Sequence, residues 1–232
     1  MQMPPLLIFL IALFSLLPGK PASAITDLYL STGTASATYT ETTDSQSKEL
    51  SGSEQSLSWR RLNALSFLDL GADVGKLTLS GDTGPHDVDF SSDYLNLIAG
   101  LSFSLYPGWI DYAFDLGYRM SVDRMQVDRS VSAGGTETYQ IGALGEATIS
   151  RFSIRFYWSE AFLIGFNIEQ KNTLFEKSTQ DLSPKLDSGK SSTLSLGYRF
   201  GGKARGSKQT KGSQKIDPPG FGVCPPEWNA GC

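Results

Sequence analysis

Cysteine, histidine and charged residues are scarce in this sequence, and each scarcity excludes a class of protein. The two cysteines, Cys224 and Cys232, lie near the C-terminus, so the rest of the chain holds neither a disulfide framework nor a cysteine-based metal site. His86 is the only histidine, which excludes a histidine-rich metal centre. Charged residues make up 19% of the chain, too few for a disordered polymer or a nucleic-acid-binding surface. We therefore expect no metal, no cofactor and no nucleic-acid partner.

The sequence also lacks a long apolar run, and its one extended apolar stretch is short and lies at the N-terminus. Residues 6–17 form an apolar run that a Pro-Gly pair ends, and Ala22-Ser23-Ala24 follows as a cleavage-site pattern. This layout predicts a secretory signal peptide over residues 1–24, although no Lys or Arg precedes the run. An uncleaved anchor is the alternative. No later stretch reaches the roughly 18 consecutive apolar residues that a membrane-spanning helix needs.

The sequence instead alternates with a period of two residues, which is typical of β-strands. In residues 109–123 every even position is apolar, whereas several odd positions are charged. The stretches 95–105, 162–168 and 194–200 alternate in the same way. Together with 24 glycines and 13 phenylalanines, this pattern favours an all-β protein with many turns.

Two stretches carry more specific expectations. Tyr29 and Tyr39 share one face of the first predicted strand, and their spacing along a membrane normal would be roughly 25 Å at a tilt near 40°. We therefore expect both rings to mark the edges of a lipid-facing band. In residues 139–158 the apolar residues change from odd to even positions near Arg151, which predicts either a β-bulge or a half-strand outside the lipid.

The connections between predicted strands alternate between short and long. The short ones lie at 73–75, 106–108 and 159–161, and the long polar ones at 41–57, 81–93, 124–137 and 176–190. A soluble sandwich also alternates, but it has no reason to sort its connections by length. The pattern predicts an eight-stranded antiparallel transmembrane β-barrel over residues 25–200, an up-and-down meander with its short turns in the periplasm. Ring closure would leave no sheet edge unpaired in the bilayer.

The last predicted strand, SSTLSLGYRF, places Leu194, Leu196, Tyr198 and Phe200 on one face and ends on an aromatic residue. This strand is similar to the C-terminal strand of bacterial outer-membrane barrels. With its leader and its connections, the chain resembles the small eight-stranded barrels of the OmpA/OmpX and opacity-protein type. The resemblance implies a Gram-negative outer membrane, contact with its lipids including lipopolysaccharide, and recognition of these four residues by the barrel-assembly machinery. The chain departs from the pattern in continuing beyond Phe200.

An eight-stranded barrel has a narrow lumen filled by side chains, and the predicted inward positions carry both acids and bases. Because unpaired charges would be costly there, we expect a paired network. Its predicted members are Asp111, Asp115, Arg119, Asp123, Arg151, Arg155, Asn167, Glu169, Lys171 and Arg199. Such a network would either close the barrel with ion pairs or line a narrow path for ions or small solutes.

His86 lies in the polar stretch GDTGPHDVDFSSD, which is predicted as a solvated loop. Its neighbouring carboxylates and hydroxyls would suit a hydrolytic site or a calcium ion. No motif of a lipid A deacylase or palmitoyl transferase accompanies them, so we predict no catalytic residue. The leading interpretation is a non-enzymatic surface barrel whose loops serve a structural, adhesion or envelope-integrity role. A narrow channel and an outer-leaflet lipid A-modifying enzyme are the alternatives.

Residues 201–232 are predicted to form a flexible tail. The part up to Lys215 is rich in Gly, Ser and Lys and resembles a basic linker, and a Pro-rich end with both cysteines follows. An even number of strands returns the chain to the periplasm, where the basic residues could contact peptidoglycan. That compartment is oxidising, so Cys224 and Cys232 are expected to form a disulfide with each other or, alternatively, between two chains.

Overall fold

The computed structural model describes residues 25–41, 47–65, 68–83, 86–106, 109–131, 135–159, 161–177 and 183–200. Within these ranges every regular element is a β-strand. No helix among the described residues is long and apolar enough to cross a membrane. The predicted signal peptide, the predicted tail and its two cysteines lie outside the described residues.

Nine antiparallel strands follow one another in the described part of the chain. They are β1 (Ile25–Glu41), β2 (Ser47–Leu65), β3 (Leu68–Asp82), β4 (His86–Tyr106), β5 (Ile110–Val131), β6 (Gly135–Tyr157), β7 (Phe162–Lys171), β8 (Phe175–Glu176) and β9 (Pro184–Phe200). Eight of them form a ring in the order β1-β2-β3-β4-β5-β6-β7-β9, and β9 pairs with β1 to close it. The two-residue β8 adds to the upper part of β9. The fold is therefore the eight-stranded antiparallel barrel that the alternation predicted.

The strands wind around the ring with a stagger that determines their tilt. A path across directly opposed residues leaves β1 at Thr26 and, after one circuit of the ring, returns to β1 at Ser36. The path passes Arg61, Leu70, Ala99, Leu116, Ser150, Gln170 and Lys190. The displacement along β1 from Thr26 to Ser36 is the stagger. With a rise of ~3.3 Å per residue and ~4.8 Å between strands, this stagger corresponds to a tilt of roughly 40°. Eight strands at that tilt enclose an interior just wide enough for side chains.

The strands reach further than the sequence predicts. β2 already begins at Ser47 and β5 continues to Val131, so the long loops predicted at 41–57 and 124–137 are largely strand. The turn predicted at 73–75 is also wrong, because these residues lie inside β3. Polar, glycine-containing stretches suggested loops by their composition. Backbone pairing with neighbouring strands nevertheless satisfies their N–H and C=O groups whatever their side chains.

Side-chain polarity inverts part-way along the strands. In the part of the barrel where the described chain begins and ends, large apolar residues point outward and charged residues point inward. We call this outward apolar surface the belt. On β4 the belt covers residues 95–105, about 25 Å along the barrel axis at the inferred tilt. Beyond it, in the part we call the head, the outward residues become polar, such as Asp87 and Asp89, and the inward ones become apolar, such as Val88 and Phe90.

The interior of the head is filled by one apolar cluster, which we call the plug. Its buried members are Ala35, Ala37, Tyr39, Leu50, Leu77, Leu79, Val88, Phe90, Tyr94, Met125, Val127, Ile141, Leu174, Phe175 and Leu186. The rings of Phe90 and Phe175 meet edge to face at 5.9 Å, which joins β8 to the opposite wall. The head is therefore packed like a small soluble barrel.

This inversion corrects one sequence-based expectation and decides another. Tyr29 and Tyr39 do not face lipid, because both lie inside the ring and are 2% exposed. A phenol ring suits a lumen as well as a membrane edge, so the tyrosine spacing did not identify the outer face. β6 pairs with β5 without a register shift, which excludes the predicted bulge. The change of phase near Arg151 marks the point where β6 passes from the head, with Ile149 inward, to the belt, with Phe152 outward.

Candidate functional site in the barrel lumen

The ten residues predicted to line the lumen are all buried inside the ring. Nine of them lie at the level of the belt, and Asp123 lies higher, beside the plug. Ring closure brings them together from β5, β6, β7 and β9, since alternate residues of each strand point inward. We call the charged residues at belt level the lumen network.

Sequence analysis missed five charged members of the lumen network. They are Asp27, Glu54, Arg60, Asp69 and Asp73. Asp73, predicted as part of a turn, forms an ion pair with Arg151 across the lumen. A signal existed in residues 68–74, where apolar residues hold even positions and aspartates hold odd ones. The turn predicted at 73–75 interrupts this alternation, so the sequence analysis did not recognise the inward aspartates.

The lowest cluster of the lumen network ties the closing strand to the first strand. Arg199 on β9 and Asp27 on β1 are directly opposed, and the guanidinium donates two hydrogen bonds to the carboxylate at 2.7 and 2.9 Å. The same guanidinium lies 3.8 Å from Asp111 and stacks over the ring of Tyr157 at 3.8 Å. These contacts reinforce the seam at which the ring closes.

A second cluster spans three strands. Arg60 on β2 donates to both carboxylate oxygens of Asp115 on β5, at 2.5 and 2.6 Å. Its Nη2 also lies 3.2 Å from Asp69 on β3, whose carboxylate accepts a further hydrogen bond from Ser102. The side-chain carboxylates of both partners are essentially inaccessible to water. Bidentate geometry and burial make this a strong charge-assisted pairing.

The highest cluster shares two carboxylates among three cations. Glu54 lies 2.9 Å from Arg119 and 2.8 Å from Lys171. Glu169 contacts the same two cations at 3.1 Å each and also accepts a 2.8 Å hydrogen bond from Nε of Arg151. Each carboxylate oxygen thus meets a cation, which offsets the cost of removing these charges from water.

Arg155 differs from the other charged residues of the lumen network, because its guanidinium is not paired with a carboxylate of the described residues. Among the described residues, neither of its Nη atoms has a hydrogen-bond partner, and its guanidinium lies 5.9 Å from the ring centroid of Tyr29. The hydroxyl groups of Ser58 and Ser153 also lack partners there. An enclosed space of about 10 Å³ near Glu54 and Ser58 has room for a single water molecule at most.

The lumen network therefore holds charges of both signs in close pairs, and the plug lies above it. A selective pore commonly carries rings of charges of one sign around a continuous opening. Paired charges in a filled lumen instead hold strands together that are far apart in sequence.

His86 does not lie in a solvated loop, which corrects the prediction from its polar neighbours. It begins β4, its side chain is buried, and its Nε2 lies 2.9 Å from Glu41 across the mouth of the head. Asp87 and Asp89 are exposed on the outer wall, on the opposite face of β4, so among the described residues these two carboxylates do not join the imidazole in a hydrolytic constellation. Among the described residues, no group of three or more His, Cys, Asp or Glu side chains is placed to hold a metal ion.

The four residues that resemble an assembly signal occupy the outer face of β9. Leu194, Leu196, Tyr198 and Phe200 are all exposed in the belt. Phe200 is directly opposed to Thr26 of β1, and its ring lies 4.8 Å from that of Tyr198. An assembly factor that recognises these side chains would therefore bind β9, the strand that closes the ring.

We expect Phe200→Ser to lower the yield of folded barrel in the membrane severalfold, because it removes the terminal aromatic residue of the closing strand. Phe166→Ser is the matched control, since Phe166 is also an outward belt aromatic, on β7. Both changes remove a similar lipid-facing ring. Quantitative heat-modifiability gels of membrane fractions measure the yield, and equal losses in the two variants would contradict a special role for the C-terminal strand.

No protein-family model and no curated protein matches the sequence. Among solved structures, the chain is similar to Ail, the attachment invasion locus protein of Yersinia pestis, at 17% identity over 75% of this chain and 98% of that chain, with a TM-score of 0.40. It is similar to Neisserial surface protein A at 15% identity over 75% and 96% of the chains, with a TM-score of 0.43. It is also similar to the outer membrane protein OprG of Pseudomonas aeruginosa at 10% identity over 75% and 95%, with a TM-score of 0.44.

Proposed function

We propose that this chain is a non-enzymatic barrel of a Gram-negative outer membrane, whose head presents a closed polar surface outside the cell in an adhesion or envelope-integrity role. The inversion of side-chain polarity along the strands supports this proposal above all. A wall that is apolar outside over about 25 Å fits hydrocarbon, and a wall that is polar outside with an apolar core fits water. The closed ring leaves no backbone edge unpaired at the level of the belt.

The orientation follows from where the described chain begins and ends. Ile25 and Phe200 both lie at the belt end of the barrel, and the head lies at the other end. Connection length does not decide the orientation, because the connections between β3 and β4 and between β5 and β6 at the head end are about as short as those at the belt end. An exported chain enters the outer membrane from the periplasm, and an even number of strands returns it there. This orientation would place the head outside the cell and the tail after Phe200 in the periplasm.

Two features favour a closed surface protein over the alternatives. The plug fills the head, and the lumen network fills the belt with paired charges, so no observation favours a channel. The buried pairing of His86 with Glu41 removes the imidazole that a hydrolytic enzyme would use at the surface. The outer wall and the strand ends of the head remain as the surface through which the protein would act.

Thiol labelling of intact cells tests the placement. In a chain whose two native cysteines are changed to serine, Ser80→Cys puts a thiol on the exposed outer wall of the head, and Ser159→Cys puts one between β6 and β7. We expect a membrane-impermeant maleimide to label the first on intact cells and the second only after permeabilisation. Labelling in the reverse order would overturn the orientation, and steady openings of the native protein in planar bilayers would overturn the closed lumen.

A further inference from the structure

The head contains a long strand edge that no other strand of the described residues covers. β6 pairs with β7 only from Ile149 to Tyr157, because β7 ends at Lys171. The two-residue β8 that follows pairs with β9 and not with β6. On its other side β6 stays paired with β5 up to Gly135. Residues 136–147 of β6 therefore have one paired side and one open side, and we call the open side the free edge.

Two hydrogen bonds show which residues direct their backbone groups to the free edge. The carbonyl oxygen of Thr148, just below it, accepts a hydrogen bond from the amide of Asn172 at 3.1 Å. The carbonyl oxygen of Gly142 accepts one at 2.6 Å from Nζ of Lys177, whose exposed side chain reaches across the opening. Because alternate residues of a strand direct both backbone groups to the same side, the even-numbered residues of β6 face the opening. Such an edge is a template for pairing with another extended chain.

A buried carboxylate without a cation lies directly behind the free edge. Asp123 of β5 points into the head and is 1% exposed. Within the described part of the chain it has no ion-pair partner, and neither of its oxygens has a hydrogen-bond partner of ordinary geometry. Burial raises the pKa of this carboxyl group, which the nearby hydroxyls of Ser92 and Ser121 offset only in part. Gly145 of β6 leaves room for the carboxylate, since a Cβ there would lie 1.9 Å from Oδ2 of Asp123.

The connections at the head end of the barrel offer no free cation to Asp123. Lys177 donates to the carbonyl oxygen of Gly142. No Lys, Arg or His occurs in the sequences of residues 42–46, 83–85, 132–134 and 178–183. A second copy of the free edge would not supply a cation either, because residues 136–147 contain two glutamates and no Lys, Arg or His. The charge that would complement Asp123 must therefore come from a different chain.

We propose that the free edge binds an extended basic segment of another protein outside the cell, which adds to β6 as a strand and sets a lysine or arginine side chain against Asp123. The proposal rests on the proposed function, because it needs the head to stand outside the cell. Opposed residues of paired strands point to the same face of a sheet, so the residue opposite Gly145 directs its side chain toward the Asp123 carboxylate. Main-chain hydrogen bonds supply affinity in this mode of binding, and side chains supply specificity. The exposed carboxylate of Glu146 on the outer face of β6 also favours a basic segment.

Peptide titration against the full-length folded protein in detergent micelles tests this, with fluorescence anisotropy as the readout. The probe is a labelled seven-residue peptide in which threonine and valine alternate around a central lysine, and the matched peptide carries glutamine in place of the lysine. We expect the lysine peptide to bind about tenfold more tightly, as for one charge-assisted hydrogen bond. Asp123→Asn should remove this preference and leave the glutamine peptide unaffected. Asp89→Asn, at an exposed aspartate on the outer wall of β4, should leave the preference unchanged.

Variants of β6 separate the strand pairing from the charge. Gly145→Ala should weaken the lysine peptide, because its Cβ would displace the Asp123 carboxylate. Gly142→Ala is the matched control, since a Cβ there meets no described atom closer than 3.8 Å, and it should leave the affinity unchanged. Leu144→Pro removes an N–H group of the free edge and no hydrogen bond to β5, so it should weaken both peptides alike. Heat-modifiability on gels verifies that all variants fold.

Equal binding of the two peptides, no binding of either, or an unchanged preference in Asp123→Asn would overturn the proposal. A dimer of the native protein that Leu144→Pro dissociates would also overturn it, because the free edge would then belong to a second copy. These failures are distinguishable from failure of the proposed function, since titration in micelles does not depend on orientation. If thiol labelling places the head outside the cell and the titration fails, the edge assignment alone fails. If labelling places the head in the periplasm, the proposed function fails and a partner outside the cell is excluded with it.

Discussion

Arg60→Met is expected to destabilise the folded barrel by about 3–5 kcal/mol, because it leaves buried carboxylates without their cation. Arg60 holds Asp115 through two hydrogen bonds and also contacts Asp69, and these side chains are shielded from water. Methionine retains much of the side-chain volume, so the decrease in unfolding free energy would come mainly from the loss of the positive charge. Urea unfolding of the protein in lipid vesicles, followed by tryptophan fluorescence, measures the change in unfolding free energy.

Two further variants show whether the loss comes from the buried pairing. Arg61 precedes Leu62 on the same strand but points outward and is only half buried, so Arg61→Met should cost little. The double variant Arg60→Met with Asp115→Leu should recover part of the loss, because an apolar pair replaces an unpaired carboxylate. A single-variant loss below about 1 kcal/mol, or no recovery in the double variant, would contradict the stabilising role of this cluster.

Leu116→Arg is expected to destabilise the barrel by about 2–4 kcal/mol, because a charged side chain would face hydrocarbon. Leu116 points outward from β5 within the belt and is 72% exposed on the isolated chain. Membrane lipid covers such a residue in place, so its exposure marks contact with lipid and not with water. The same vesicle-based unfolding measurement applies.

Leu144→Arg is the matched control, since it makes the same substitution at an outward position that is 85% exposed on β6. Leu144 lies in the head, above the belt, where the proposed function puts water around the wall. We therefore expect its cost to stay within about 0.5 kcal/mol, as for ordinary surface changes. Equal costs at the two positions would show that the belt is not the boundary of the membrane.

The belt strands were the part of the fold that sequence reasoning predicted well. In residues 109–123 and 162–168 one face meets hydrocarbon and the other meets a charged lumen, so the alternation is strict and visible. The inward placement of Arg119, Glu169 and Lys171 follows from the same alternation. Counting such segments between polar connections gave eight antiparallel strands, which matches the ring, although the count used a turn at 73–75 that lies inside β3.

The head escaped prediction because its strands carry the opposite pattern. Their outward residues are Ser, Thr, Gln and Asp, which match the composition of loops, and their inward apolar residues lie out of phase with those of the belt. β2 shows the consequence, since Leu50 enters the plug whereas Leu57 faces outward in the belt. Unless the position of the membrane boundary is known, Leu50 and Leu57 predict opposite faces of β2 as the inward one.

The sequence by itself determined that the chain alternates, that its strands number eight, and that charges of both signs share one face of the belt strands. Only the tertiary structure decided which face of β1 is inside and which charges meet. Arg60 and Asp115 are 55 residues apart and Lys171 and Glu54 are 117 apart, and no local pattern relates them. Their pairing depends on the stagger of the closed ring, because the stagger sets which inward positions share a level in the lumen.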